Sequence, residues 1–275
     1  MIVFPNCKIN LGLHILRKRE DGYHDLETVF YPVKFSDILE IITERSQTNE
    51  PVQYSQTGLH IQGEPADNLC IKAYTLLKKD FPELPPVKMH LHKVIPTGAG
   101  LGGGSADAAF TLRLLNDQFK LNLTEASLLE YALALGSDCP FFIKNQPVYA
   151  TGRGEIMEPV EVDLSGYTLV LINPGIHVPT AKAFTAIRPS IPAISIREII
   201  AQPVSTWTDE LVNDFEKTVF YEYPEIASIK EELYQCGAAY AAMSGSGSTV
   251  FGLFPPGKAL ILNLPDTYFI KVVPA

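Results

Sequence analysis

The sequence predicts a protein of mixed α and β structure, and three observations carry that prediction. Several segments alternate apolar and polar residues with the period of two that a half-buried strand requires, among them Val87 to Val94. Others repeat apolar residues at helical spacing, as in Leu69 to Phe81 and Leu128 to Leu135. Between Val94 and a helical run through Phe110, Leu112, Leu114, Leu115 and Phe119 lie five glycines in seven residues, Gly98 to Gly104. That is a strand, a glycine loop and a helix in succession.

A chain of 275 residues with 46% hydrophobic and 19% charged residues suits one or two ordinary globular domains. No apolar run approaches the roughly 20 residues of a membrane span, and the N-terminus has no basic region followed by a long apolar one, so a cytoplasmic protein is expected. Cys7, Cys70, Cys139 and Cys236 are dispersed, without zinc-like spacing, and read as reduced thiols. A net charge of −9 argues against a nucleic-acid binder. Any phosphate held here must be held by local donors.

Taken in order, Met1 to Arg17 reads as a strand, a turn near Pro5-Asn6 and a second strand carrying Lys8 and Asn10 on one face. Arg17 to His24 is a polar turn built on Asp21-Gly22. Two further strands fill Leu26 to Thr43, and Ser46 to Thr57 is a polar loop or weak hairpin. Asp67-Asn68 caps the helix of Leu69 to Phe81, which Pro82 ends. Thr124 caps the run that closes on Gly136, and Asp138-Cys139-Pro140 separates that helix end from a buried apolar stretch. Tyr149 to Glu155 has two glycines and a charged tip, and Tyr167 to Ile172 is a strand. A domain boundary falls between them, giving domains of 1–160 and 161–275. Helices follow at Thr180 to Ile187, near Ile196 and Asn213, and from Pro224 to Cys236. The last segment carries a second small-residue loop, Ser244 to Thr249, between strands.

Glycine tolerates positive φ and lets backbone N–H groups approach a ligand, and a helix start adds about half a positive charge. The glycine loop therefore reads as a phosphate cradle, with a merely flexible turn as the bland alternative. Gly98-Ala-Gly100-Leu-Gly102-Gly103 formally fits a dinucleotide fingerprint, but a second helix stands where a parallel strand closing on an acid belongs. No Gly-Lys-Ser/Thr ends the loop, and the His-Arg-Asp and Asp-Phe-Gly pair of protein kinases does not occur.

Pro96 to Ala109 resembles the ATP-binding motif of the GHMP kinases, the superfamily of galactokinase, homoserine kinase and mevalonate kinase. Four more segments match in the family's order: Lys8-Ile9-Asn10-Leu11 with Asp21-Gly22-Tyr23-His24, Gly136 to Phe141, Asn213 to Glu216, and Ser244 to Gly247. The likeness is strongest to members that phosphorylate the 2-hydroxyl of a cytidine-diphosphate-linked methylerythritol. It implies an α+β fold of two subdomains, one ribosomal-protein-like and one ferredoxin-like, with the active site in the cleft between them. It also implies ATP and Mg²⁺, a small-molecule substrate, no nucleic acid or membrane partner, and a monomer or homodimer. A mevalonate or homoserine kinase, or a non-catalytic regulatory module on the same fold, is the alternative. Intact Lys8 and Asp138 speak against the module.

The resemblance assigns nucleotide contacts to Asn68, Lys93, Pro96, Gly98, Gly100, Leu101, Gly102, Gly103, Gly104, Ser105 and Ala106. Ser105 would touch a phosphate oxygen or magnesium, or serve as a cap; Lys93 would contact phosphate, or lie on a solvated face. Asp138 is the candidate general base, which spacing alone could equally make a turn cap before Pro140. Lys8 would lie near it and offset charge during transfer. Tyr23, His24 and Phe184 would hold the cytosine ring, the aromatics by stacking, with a core role as the alternative for Phe184. Asn10, Thr180, Gly245 and Gly247 would contact the rest of the substrate; Ser248 is given no role. His90 and His92 share a strand face but have no third metal ligand, and the metal ligands are not assigned.

Overall fold

A computed structural model describes residues 1–45, 50–61, 64, 67–185, 187–258 and 260–275. Packing divides the chain into two compact units that it visits more than once: residues 1–7, 35–97 and 102–145, and residues 8–34, 98–101 and 146–275. A single cut near residue 160 is what the sequence suggests; the units are interleaved because long strands pass from one to the other. Both β2 (Asn6–Lys18) and β3 (His24–Ser36) do so.

In the first unit, β1 (Ile2–Val3), β4 (Ile38–Thr43), β5 (Val52–Gly58) and β6 (Val87–Lys93) form a sheet in the order β1-β4-β6-β5. β5 lies parallel to β6, so the chain must cross over between them, and α1 (Leu69–Asp80) lies in that connection. The polar stretch of Ser46 to Thr57 thus contains a strand; residues 46–49 lie outside the described residues. Asn68 caps α1, its Oδ1 accepting from the Cys70 amide at 2.9 Å. Then follow α2 (Gly103–Phe119), α3 (Glu125–Leu135) and α4 (Cys139–Lys144). The stretch after Asp138 is a short helix because Pro140 sits in its first turn, where a missing N–H leaves no helix bond unmade.

In the second unit, β2 and β3 join β7 (Val148–Gly152) and β8 (Ile156–Pro159) in one sheet. A further antiparallel sheet takes β9 (Thr168–Asn173), β10 (Tyr240–Met243), β11 (Val250–Phe254) and β12 (Phe269–Pro274) in the order β10-β11-β9-β12. The helices are α5 (Thr180–Thr185), α6 (Ile196–Ile200), α7 (Trp207–Glu210), α8 (Asp214–Glu222) and α9 (Pro224–Gln235). Val170 and Ile172 of β9 pack in one core with Phe215 and Val219 of α8 and Ile226, Ile229 and Leu233 of α9. None of the four cysteines is in a disulfide, and no described helix is long and apolar enough to cross a membrane.

Candidate functional site

The glycine loop begins where β6 ends, and the side chain at that point is buried. Lys93 falls on the face of β6 that is covered, with Val87, Met89 and Leu91, and is fully enclosed rather than on a solvated face. Its Nζ donates to Asp107 Oδ2 at 2.7 Å and to Asp37 Oδ2, while Asp37 Oδ1 accepts the Val94 and Ile95 amides at 2.6 and 2.9 Å. Burial pushes the Asp107 carboxyl up to about 7 against the pull of Lys93, and the Asp37 charge adds to the rise. Burial would lower the Lys93 ammonium, but the two carboxylates raise it instead. One lysine thus joins β6, the segment before β4 and the second turn of α2.

Gly98 to Leu101 belong to the second unit and dock there on the other small-residue loop. Ser244 Oγ donates to Gly100 O at 2.8 Å, the Thr249 amide to Ala99 O at 3.2 Å, and the Lys8 amide to Leu101 O at 3.0 Å. Gly100 has a φ of +79°, and a Cβ there would run into the Ser244 carbonyl. Only glycine allows this approach. α2 then starts from Gly102 (φ 68°), with no side chain capping it. The Ala106 amide already donates to Gly102 O, which leaves Gly103, Gly104 and Ser105 as the amides without an intrahelical acceptor. Leu101 and Ala106 are buried, and a Cβ on Gly103 would lie 2.9 Å from Ile95 Cγ2 and 3.0 Å from Lys93 Nζ. This bare, positively polarised helix start fits phosphate oxygens. Pro96 is half-buried just before it.

Lys8 and Asn10 share a face, as alternation requires. Lys8 is buried; its Nζ donates to Asn10 Oδ1 at 2.5 Å and lies 5.0 Å from the Phe30 ring centroid. Asn10 Nδ2 donates to Thr28 Oγ1 at 3.0 Å, and the Asn10 amide to Ser244 Oγ at 3.1 Å. Behind the loop, Asn213 Nδ2 donates to the carbonyls of Met243 and Gly245 at 2.7 and 2.8 Å. Thr180 Oγ1 is 3.0 Å from Ser246 Oγ. Gly245 and Gly247 hold positive φ; a Cβ on Gly247 would meet Met243 Sδ at 2.6 Å. Ser248 is structural: it accepts from Asn173 Nδ2 and donates to Ile176 O.

His24 and Phe184, from distant parts of the sequence, stack with ring centroids 5.0 Å apart and 20° between planes, and Phe184 meets Phe215 edge-on at 4.8 Å. Phe184 packs against the core of the second unit, and its ring also meets that of His24. Burial and then the Lys18 charge lower the His24 pKa, favouring a neutral imidazole. Tyr23, next in the chain, is 55% exposed.

Asp138 is half-buried at the start of α4 and makes no side-chain capping bond to it. Its neighbour Cys139 is kept as a thiol: burial, chiefly, pushes it up to about 12 against a bond from Ser105, and the Asp138 charge adds to the rise. Asn68 is committed to its cap and to Tyr54, whose hydroxyl accepts from its Nδ2 at 2.9 Å. His90 and His92 bond the hydroxyls of Ser55 and Thr57 on β5, and no group of three metal-ligating side chains occurs among the described residues. The sequence reading missed Asp37, Asp107 and the clamp of Asn213. An acid between Ala106 and Ala108, and an asparagine before Asp214-Phe215, were the available signals.

The family model for the GHMP kinases N terminal domain matches residues 68–146, and that for the GHMP kinases C terminal matches residues 198–264. A 4-diphosphocytidyl-2-C-methyl-D-erythritol kinase of Bacteroides fragilis is 57% identical over 260 residues, 94% of each chain. One of Bacteroides thetaiotaomicron is 54% identical over 97% of this chain and 95% of its own. Among solved structures, a 4-(cytidine 5'-diphospho)-2C-methyl-D-erythritol kinase superposes over 100% of both chains with a TM-score of 0.79 at 29% identity. The Methanococcus jannaschii mevalonate kinase shares the fold, with a TM-score of 0.69 at 13% identity over 94% of this chain and 92% of its own.

Proposed function

The chain belongs to the GHMP kinase family, and from that membership we propose that it transfers the γ-phosphoryl group of ATP to the 2-hydroxyl of 4-diphosphocytidyl-2-C-methyl-D-erythritol, a step of non-mevalonate isoprenoid biosynthesis. The observation that carries the substrate choice is the His24–Phe184 ring pair with exposed Tyr23 beside it in sequence. Mevalonate and homoserine carry no base, so three ring side chains would serve neither. A neutral imidazole can exchange hydrogen bonds with a neutral cytosine without burying a charge.

The amides of Gly103, Gly104 and Ser105 hold phosphate oxygens at the start of α2. Asp138 takes the proton of the acceptor 2-hydroxyl on a carboxylate oxygen as the hydroxyl oxygen bonds to the γ-phosphorus; the bond from that phosphorus to the oxygen bridging it to the β-phosphate breaks and ADP leaves. Lys8, fixed by Asn10, supplies positive charge for the transfer. Magnesium would shield the phosphates, held by nucleotide oxygens, water and the Ser105 hydroxyl. Gly245 and Gly247 give the Ser244 loop the backbone freedom to approach the substrate's diphosphate, and Asn10 and Thr180 offer polar contacts to the rest of it.

A coupled ADP-release assay offering the cytidylyl substrate, mevalonate and homoserine in parallel tests this. Turnover is expected with the first alone. Comparable kcat/KM with either of the others would refute the assignment.

A further inference from the structure

The tip of the β7–β8 hairpin carries Arg153, for which neither the fold nor the proposed chemistry has so far given a use. The register pairs Leu26 of β3 with Gly152 of β7, so the hairpin turn arrives beside the end of β3 that starts at His24. The turn is tightly specified. Gly152 and Gly154 hold φ of +69° and +104°, the Gly154 amide donates to Thr151 O at 3.0 Å, and the Arg153 amide donates to Glu155 Oε2 at 2.5 Å. Glu155 also lies 3.8 Å from Arg153 Nε. The guanidinium is thereby laid over the Tyr23 ring, its Cζ 4.6 Å from the centroid.

The backbone of Tyr23 is fixed independently. Its amide donates to Asp21 Oδ1 at 3.1 Å and its carbonyl accepts the Arg19 amide at 2.8 Å, while Arg19 pairs with Asp21 and Asp25. None of these bonds orients the ring, which is 55% exposed. An exposed ring that must settle into one rotamer when a base stacks on it loses affinity to that ordering. A guanidinium stacks on an aromatic face as a plane, which an ammonium does not.

We propose that Arg153 is a positioning residue for substrate recognition, holding one face of the Tyr23 ring so that the other is presented to the cytosine. The inference rests on the reading of Tyr23 as a stacking residue for that base. It gives the β7–β8 hairpin a part in specificity without contact to the reacting atoms.

The test is a double-mutant cycle on Tyr23 and Arg153 in the intact enzyme, reading KM for each substrate, kcat and the thermal midpoint. Arg153→Ala is expected to raise KM for the cytidylyl substrate about three- to ten-fold, the range of a partly exposed cation–π contact. The KM for ATP, kcat and Tm stay as in the parent. In the Tyr23→Ala background, Arg153→Ala has no further effect. Arg153→Lys keeps the charge without the plane and recovers less than half of the loss. An unchanged KM for Arg153→Ala, an equal effect with and without Tyr23, a parallel rise in KM for ATP, or full recovery by lysine would overturn the inference. If Tyr23→Ala itself leaves KM unaltered, the base-stacking reading falls and Arg153 with it. If Tyr23→Ala raises KM while Arg153→Ala does not, only the role of Arg153 falls.

Discussion

Replacing Lys93 by methionine removes the cation that two buried carboxylates share, with similar side-chain length and no charge. Asp37 would keep partners, since the Val94 and Ile95 amides both donate to its Oδ1. Asp107 would lose its cation, and its Oδ1 already has no hydrogen-bond partner among the described residues. Breaking a buried ion pair from one side costs about 3–5 kcal/mol, and the cost here falls on Asp107. It is therefore pH-dependent, with a definite sign. The folded chain holds the Asp107 carboxyl up at about 7, above its ordinary 3.8, so between those values the folded state binds more protons than the unfolded one. Stability from this group is present at acidic pH and is lost as pH rises toward 7. Without Lys93 the carboxyl rises further, so Lys93→Met is expected to cost about 3–5 kcal/mol at pH 8 and at least about 1 kcal/mol less at pH 5.5. Urea denaturation at the two pH values measures both, and a Lys93→Met, Asp107→Asn double variant should lose less than the sum of the single variants. A cost below about 1 kcal/mol at pH 8, or a larger cost in acid, would refute the reasoning.

Three other outcomes follow from the geometry. Asp138→Asn should lower kcat by about two to four powers of ten while the Kd for ATP, from calorimetry, moves less than about three-fold; near-normal turnover removes the base assignment. Asn213→Ala strips the donor from two carbonyls and the cap from the Phe215 amide, and should cost about 2–4 kcal/mol in chemical denaturation; a loss under about 1 kcal/mol would mean that the Ser244 loop is held otherwise. Gly100→Ala places a methyl against the Ser244 carbonyl in a left-handed conformation. It should weaken ATP binding at least about ten-fold and lower Tm by about 2–4 °C for each kcal/mol of strain, and an unaltered ATP affinity would detach this contact from the phosphate site.

Local signals in the sequence located most elements, because caps and breakers act within a few residues. Asn68 and Thr124 cap the helices that follow them, and alternation located β6. What escaped was long-range. β5 reads as polar because its inward positions are few and its pairing is parallel to a strand that comes after α1. The interleaving of the two compact units is likewise a property of strands that run on past a unit's edge, which no local pattern encodes.

The site was legible to the same degree and for the same reason. Glycine at the loop, a lysine facing an asparagine, and three ring residues are statements about residue type, and the sequence displays type directly. Partnership is another matter. Lys93 could have been a solvated lysine or a phosphate ligand until Asp37 and Asp107 enclosed it. That pairing bears on how the loop works. With its ammonium held by two carboxylates, Lys93 has little charge left to offer a nucleotide, whereas the bonds around it fix the amides of Val94 and Ile95 before the loop and the body of α2 after it. Gly103 reinforces the point, since its absent side chain makes room for Lys93 and Ile95. Gly103→Val would therefore unsettle the fold as well as the ligand, and cannot isolate nucleotide binding. Among the described residues, Gly104 has only Leu69 Cδ1, at 3.8 Å, within reach of an added Cβ, which makes Gly104→Ala the cleaner probe of the phosphate cradle.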